Sequence, residues 1–139
     1  MKRLIHTSDK YDELQGIEGM SRIGELPMRG SSFEIYVNTD DPGKIPHFHI
    51  RDKKDWTFFH TCIKIASPEY FHHDTKLDVL NSKEKKALDD FMHQPCKNRR
   101  YQDKLANMTN WDLVCLLWDI NNSDVEIDEG IQQPDYNLL

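Results

Sequence analysis

Two histidines separated by one residue, His47 and His49, have the clearest capacity for chemistry in this sequence. They lie in residues 45–50 (IPHFHI), whose β-forming side chains predict a strand. Side chains two positions apart on a strand point to the same side, so the two imidazoles are expected to project together. Imidazole nitrogens at that spacing can share a metal ion or a phosphate oxygen.

A metal site needs at least a third ligand, and the other histidines are the first candidates. The predicted set comprises His47, His49, His60, His72 and His73, with Asp74 or His93 as further donors. However, the sequence contains no H-E-x-x-H helix, and the glutamate and third histidine of a cupin are also missing. The expectation is therefore no cofactor, with a divalent metal as the alternative.

Two other interpretations of these histidines remain open. Both side chains could be half-exposed strand residues, one of them hydrogen-bonded to a backbone carbonyl or a carboxylate. Alternatively, His47, His49 and nearby Arg51 could bind an anionic group on a small ligand or a partner protein. These three are the predicted binding residues, and the sequence leaves open whether the protein is an enzyme.

Two further chemistries find little support. His6-Thr7-Ser8 and His73-Asp74-Thr75 match the paired motifs of two-histidine phosphoesterases, but their flanks are polar where those motifs lie on apolar strands. Coincidence is the better explanation. Cys62 and Cys115 are predicted to lie on apolar faces, and Cys96 has no assigned base, so no cysteine nucleophile is expected.

The composition bounds the class of protein. A chain of 139 residues fits one domain, and a net charge of -6 disfavours nucleic acid. The single basic patch, residues 97–104, offers Arg99, Arg100 and Lys104 as the residues that could contact nucleic acid. Three widely spaced cysteines predict a cytoplasmic protein without disulfides. The sequence contains no apolar run long enough for a membrane span, so no membrane association is expected.

The pattern of elements predicts an α+β fold. Glycines interrupt residues 7–31, so residues 1–31 are predicted to be an irregular N-terminal arm. Residues 32–122 are predicted to form one domain, an antiparallel sheet of three or four strands packed by two or three C-terminal helices. Residues 32–37 are the first strand, whereas residues 45–50 and 56–65 flank a polar turn and should form a hairpin.

The register of that hairpin decides which histidines meet. Pairing about Lys53 sets Phe48 opposite Phe58 and sends His60 to the face away from His47. A slip of one residue would bring His60 opposite His47.

Three helices are expected after the hairpin. Asn81 and Glu84 form a capping-box pattern before an amphipathic helix over residues 83–93. A less regular helix is predicted over residues 97–108. Thr109 or Asn110 should cap a third helix over residues 111–120, which is apolar on most of its circumference and must be buried. Residues 123–139 hold five acids and no bases, which predicts a mobile or loosely docked tail.

The stretch Pro46-His47-Phe48-His49 resembles a strand that marks small bacterial and phage domains of unknown function. Residues 80–84 (LNSKE), 109–112 (TNWD) and 116–118 (LLW) are similar to helical segments of a longer variant associated with gut Bacteroidales and their phages. The likeness covers residues 33–122. It implies an α+β domain, sometimes in two-gene modules of toxin-antitoxin type, and it supplies no catalytic residues.

The function expected from these observations is a non-enzymatic binding or regulatory module in a phage-host or toxin-antitoxin-like context, acting through the His-Phe-His strand face. The alternative is a metal-dependent hydrolase or nuclease with His47 and His49 as ligands.

Overall fold

The structure, a computed structural model, describes residues 20–38, 45–55, 57–71, 78–97, 108–122, 127–128 and 130–139. These ranges contain a four-stranded antiparallel sheet and two C-terminal helices, which confirms the predicted α+β class. The strands are β1 Met20–Met28, β2 Ser31–Asn38, β3 His47–Asp52 and β4 His60–Lys64, and they lie side by side in that order. The helices are α1 Ser82–His93 and α2 Asn110–Asn121, followed by a 3-10 turn at Tyr136–Leu138.

The first hairpin corrects the prediction of an irregular arm. Residues 20–28 form β1, which pairs with β2 through a two-residue turn. Arg29 and Gly30 occupy that turn with φ values of 52° and 70°, as a type I′ turn requires. Gly24 and Pro27 inside β1 obscured the strand pattern. Pro27 is tolerated because β1 is an edge strand, and a Cβ on Gly24 would lie 2.8 Å from Cζ of Phe91 in α1.

One face of the sheet is apolar and packs against the helices. Alternate residues of β2, β3 and β4 supply its apolar side chains, which are buried: Phe33, Ile35, Val37, Phe48, Ile50 and Ile63. Helix α2 contacts β1 and β2, and all twelve of its residues are buried, as its sequence predicted. The indole Nε1 of Trp111 donates to the carbonyl of Ile65 at 3.2 Å, which ties this helix to the end of β4.

Helix α1 begins with the predicted capping box. The Asn81 side chain accepts from the backbone N–H of Glu84, and the Glu84 carboxylate accepts from the backbone N–H of Asn81, each at 2.9 Å. Arg29 donates to both oxygens of the same carboxylate, at 2.8 and 3.0 Å. The Arg29 guanidinium lowers the pKa of Glu84 against the opposing effect of burial. The turn between β1 and β2 is thereby held against α1.

The C-terminal segment is docked, so the prediction of a loosely attached tail is wrong for residues 127–128 and 130–139. Tyr136 is fully buried, and its hydroxyl donates to the carbonyl of Ile65 at 3.1 Å. Burial raises the pKa of this phenol. Its backbone N–H donates to Asp89 of α1 at 3.0 Å, and the buried Ile127 donates to Asp119 of α2 at 2.8 Å.

Three predictions fall outside the described residues wholly or in part. They are residues 1–19 of the N-terminal arm, most of the helix expected over residues 97–108, and residues 123–126 and 129 of the tail. Within the described part of the chain, no helix combines the length and apolarity needed to cross a membrane.

Candidate metal centre

The loop between β3 and β4 determines which residues of these strands face each other. Strand β3 continues to Asp52, and β4 begins at His60. The Asp52 carboxylate accepts hydrogen bonds from the backbone N–H groups of Lys54 at 2.9 Å and Asp55 at 3.0 Å. A hydrogen bond from Ser31, together with these backbone bonds, lowers the pKa of Asp52. The turn is therefore longer than the polar stretch 51–55 indicated.

The longer loop makes the predicted register wrong. Phe48 pairs with Ile63, five residues beyond the expected partner Phe58. An odd shift turns every side chain of β4 to the other face of the sheet. His60 consequently lies on the same face as His49, where its ring stacks at a centroid distance of 5.4 Å. The predicted register had placed His60 away from the other histidines, which argued against its being a metal ligand. The observed register removes that argument.

Three adjacent strands place a row of side chains with metal-binding or reactive groups on this second face. Tyr36 of β2 pairs with His49 of β3, and His49 pairs with Cys62 of β4. His60 lies two residues before Cys62 and points to the same side. We call the group His49, His60 and Cys62 the His-His-Cys cluster.

The ligand atoms of the His-His-Cys cluster lie within 4.8 Å of one another. Nδ1 of His49 is 3.2 Å from Nε2 of His60 and 3.2 Å from Sγ of Cys62. Two tetrahedral zinc ligands lie about 3.3 Å apart if both are nitrogen and about 3.6 Å apart if one is sulfur, given the usual Zn–N and Zn–S bond lengths. Two of the three separations in the cluster are therefore within about 0.4 Å of those around one tetrahedral ion, and the third, between His60 and Cys62, is at most 4.8 Å. Without an ion, the same contacts are hydrogen bonds from thiol to imidazole and between imidazoles.

The ring orientations identify the movement that metal binding requires. The His49 and His60 rings are almost parallel, with 8° between their planes. The hydrogen bond between Nδ1 of His49 and Nε2 of His60 directs the two nitrogens at each other, so both can bind one ion only after one of the rings turns. His49 is 2% exposed, whereas His60 is half-buried. His60 is therefore the ring with room to turn.

Asn38 lies beside the other nitrogen of His49, with its Nδ2 atom 3.4 Å from Nε2. Metal binding through Nδ1 leaves the imidazole proton on Nε2. A half-turn of the Asn38 amide would present its oxygen to that proton, which is the outer hydrogen bond that metal-bound histidines usually make.

Arg51 shares this face but is engaged within the protein. Its Nε donates to Glu34 at 2.6 Å, and its guanidinium lies over the Tyr36 ring, 4.8 Å from the centroid. Its side chain is 32% exposed. His47 and His49 of the predicted binding set are buried, which favours a ligand as small as an ion over a flat contact with another protein.

His47 shares the face of His49, as predicted, and their ring centroids are 5.0 Å apart. It does not belong to the His-His-Cys cluster. Its ring packs against Phe71 and Trp118, with centroids 4.4 and 5.3 Å away, and its Nδ1 is 2.7 Å from the carbonyl oxygen of Ile45. Of the two ligands predicted from the H-x-H spacing, His49 therefore belongs to the cluster, whereas His47 packs against aromatic side chains.

The remaining predicted ligands do not join the cluster within the described residues. His93 lies at the end of α1, exposed, beside the carbonyl of Asp89 and the side chain of Gln133. His6, His72, His73 and Asp74 lie outside the described residues, as do the three basic residues proposed to contact nucleic acid, Arg99, Arg100 and Lys104.

Cys62 is the cluster residue that sequence reasoning missed. The predicted register assigned it to an apolar face, yet it is fully buried on the histidine face. The spacing of His60 and Cys62 was an available signal, because residues two apart on a strand share a face. That signal could not be used until the partner of His49 was known. Cys96 and Cys115 are also buried, but neither belongs to the cluster. Of the three cysteines, all of which the structure describes, only Cys62 therefore supplies a sulfur atom to it.

Comparison of the chain with protein-family models, with curated proteins and with solved structures gives no match.

Proposed function

We propose that this protein is a non-enzymatic binding module whose ligand is a metal ion held by His49, His60 and Cys62. The observation that supports this most directly is the convergence of two imidazole nitrogens and one sulfur within 4.8 Å on one face of the sheet. Strand β3 contributes one donor and β4 contributes two through the ordinary alternation of side chains, so the site needs no unusual backbone.

The donor atoms favour zinc. Two imidazoles and a thiolate suit Zn²⁺, and they also suit Cu⁺, whereas Mg²⁺ and Ca²⁺ prefer oxygen ligands. The cluster contains no carboxylate among the described residues. A borderline-soft ion is therefore the proposed ligand.

The burial of the donors favours a structural or sensing role over catalysis. His49 and Cys62 are buried, so of the three cluster residues, all within the described part of the chain, only His60 is open to solvent and substrate. The resemblance to domains found in two-gene modules extends the proposal to regulation within a small operon or between phage and host. In that role, metal binding would change the stability or shape of the histidine face and so its affinity for a partner.

Metal content of the purified, tag-free protein tests the proposal. We expect about one zinc per chain after dialysis against zinc and removal of the excess, and loss of that zinc in His49→Ala and Cys62→Ala. His93→Ala is the matched control, because it removes an exposed histidine outside the cluster. A wild-type chain that retains no zinc, or equal retention in Cys62→Ala, would refute the metal-binding proposal.

Hydrolase or nuclease activity is the second candidate, and the accessibility of His60 is the observation that favours it. An open position on the ion could hold an activated water. Zinc- or manganese-loaded protein should then cleave a phosphodiester substrate, and His60→Ala should abolish the cleavage. The binding-module proposal predicts no turnover above that of the metal-free protein.

A further inference from the structure

We infer that the hydroxyl of Tyr36 supplies the fourth donor to the ion and so closes the site. This inference rests on the proposed metal binding by the His-His-Cys cluster and concerns the same site. It decides between the two functions above, because structural zinc sites have four protein ligands whereas catalytic sites keep one position for water.

The position of the hydroxyl is the first reason. It lies 3.4 Å from Nε2 of His60. A nitrogen and an oxygen at two corners of a zinc tetrahedron are also about 3.4 Å apart, from the usual Zn–N and Zn–O distances. Three of the six separations between the four donors, from His49 to His60, from His49 to Cys62 and from His60 to Tyr36, are thus 3.2–3.4 Å before the His60 ring turns, close to the edges of such a tetrahedron.

The packing of the Tyr36 ring is the second reason. Tyr36 is buried, and its ring stacks on that of His49 with centroids 4.8 Å apart and 14° between planes. The guanidinium of Arg51 lies over the same ring and is itself fixed by Glu34. These contacts hold the phenol oxygen in place before any ion arrives, so its placement costs little conformational entropy.

The strand pairing is the third reason. Tyr36 and Cys62 flank His49 on the two neighbouring strands, so all three side chains emerge from one row across the sheet. Cross-strand neighbours of this kind are within reach of one another. The row brings an oxygen, a nitrogen and a sulfur donor together, and His60 adds the second nitrogen from the adjacent row. The result would be a closed N₂SO donor set that leaves no position on a four-coordinate ion for water.

Cobalt(II) is a suitable probe, because its visible absorption reports on the number and type of its ligands. Cobalt is titrated into the full-length apo protein and into Tyr36→Phe, and azide is then added to each. We expect a four-coordinate cobalt spectrum in the wild type that azide does not change. In Tyr36→Phe, we expect cobalt to bind roughly ten- to a hundredfold more weakly, and azide to alter the spectrum by replacing the water at the vacated position.

Tyr136→Phe is the matched control, since it removes a buried phenol oxygen from the opposite face and should bind cobalt as the wild type does. Azide that alters the wild-type spectrum would overturn the inference about Tyr36 and leave the metal site standing. A Tyr36→Phe variant with unchanged affinity and no response to azide would place the fourth donor elsewhere and also overturn it. Cobalt binding that is absent, or that survives in Cys62→Ala, would instead refute the proposed function.

Discussion

The two faces of the sheet are both buried, but different chemistry fills them. On the apolar face, side chains such as Phe48, Ile50 and Ile63 are fully buried and carry no polar atoms. On the other face, His47, His49 and Cys62 are buried to the same degree. A hydrocarbon side chain gains from burial directly, whereas a buried imidazole or thiol must find a partner for each polar atom.

The apolar face therefore serves mainly the stability of the fold, whereas the histidine face carries the proposed function. The side chains of the apolar face can be explained by packing, apart from the buried Asp52 and Thr61. The histidine face costs desolvation of polar groups, which hydrogen bonds such as those between Cys62, His49 and His60 offset. An ion that replaces those bonds with metal–ligand bonds would add the free energy of metal binding to the stability of the fold, which is the physical motive for the proposed site.

Truncation on the apolar face should have the largest effect. Phe48 is fully buried, with its ring edge-on to that of Tyr136 at a centroid distance of 5.7 Å. Phe48→Ala should lower the free energy of unfolding by about 3–5 kcal/mol, because it removes a buried ring and leaves a cavity. Urea unfolding followed by fluorescence measures this. A loss below about 1 kcal/mol would show that the apolar face does not dominate stability.

The same kind of truncation on the histidine face should matter only when metal is present. Zinc at about a hundredfold excess over its dissociation constant should raise the free energy of unfolding of the wild type by about 2.7 kcal/mol. Cys62→Ala should lose that gain. Cys115→Ala, which makes the same change in α2, should keep it. Thermal melts with zinc and with chelator provide the comparison, and equal gains in both variants would contradict the assignment of Cys62.

The buried carboxylate of Glu84 is stabilised by a charged side chain, that of Arg29, instead of by a metal ion. Its substitution tests that kind of stabilisation. Its pKa is lowered in the folded protein, so its contribution is present above the ordinary value of 4.5 and is lost as the pH falls through the folded value. Glu84→Gln should cost about 1–2 kcal/mol near neutral pH, with the difference from wild type shrinking in acid.

Urea titrations from neutral to acidic pH measure this difference. Glu69→Gln is the surface control. The hydroxyl of Ser67 lowers the pKa of Glu69, but that carboxylate is exposed, so its substitution should change the pH dependence less. A Glu84→Gln deficit that stays constant with pH would mean that the ionised carboxylate is not the stabilising form.

The smallest effect is expected for the phenol that anchors the C-terminal segment. Tyr136→Phe removes one hydrogen bond to the carbonyl of Ile65, which still accepts from the indole of Trp111. The loss should be about 1 kcal/mol by urea unfolding, because the acceptor keeps a partner. Zinc content should not change. A change in zinc content would mean that the two faces are coupled through the strands.

Local sequence patterns predicted the elements that depend on near neighbours. Asn81 and Glu84 predicted the start of α1 because a capping box involves residues three apart. The near-continuous apolar surface of residues 111–120 predicted a buried helix, and α2 is buried throughout. β1 was missed because Gly24 and Pro27 interrupt the pattern, and they are tolerated only through contact with Phe91 and an edge position.

The sequence by itself determined that His47 and His49 share a face, because alternation along a strand is a property of the local backbone. Tertiary structure decided their partners. The hydrogen bonds of the loop after Asp52 set the register of β4, and that register alone brings His60 and Cys62 to His49. A shift by any odd number of residues exchanges the two faces of a strand, so no local pattern within β4 could decide which face carries the sulfur.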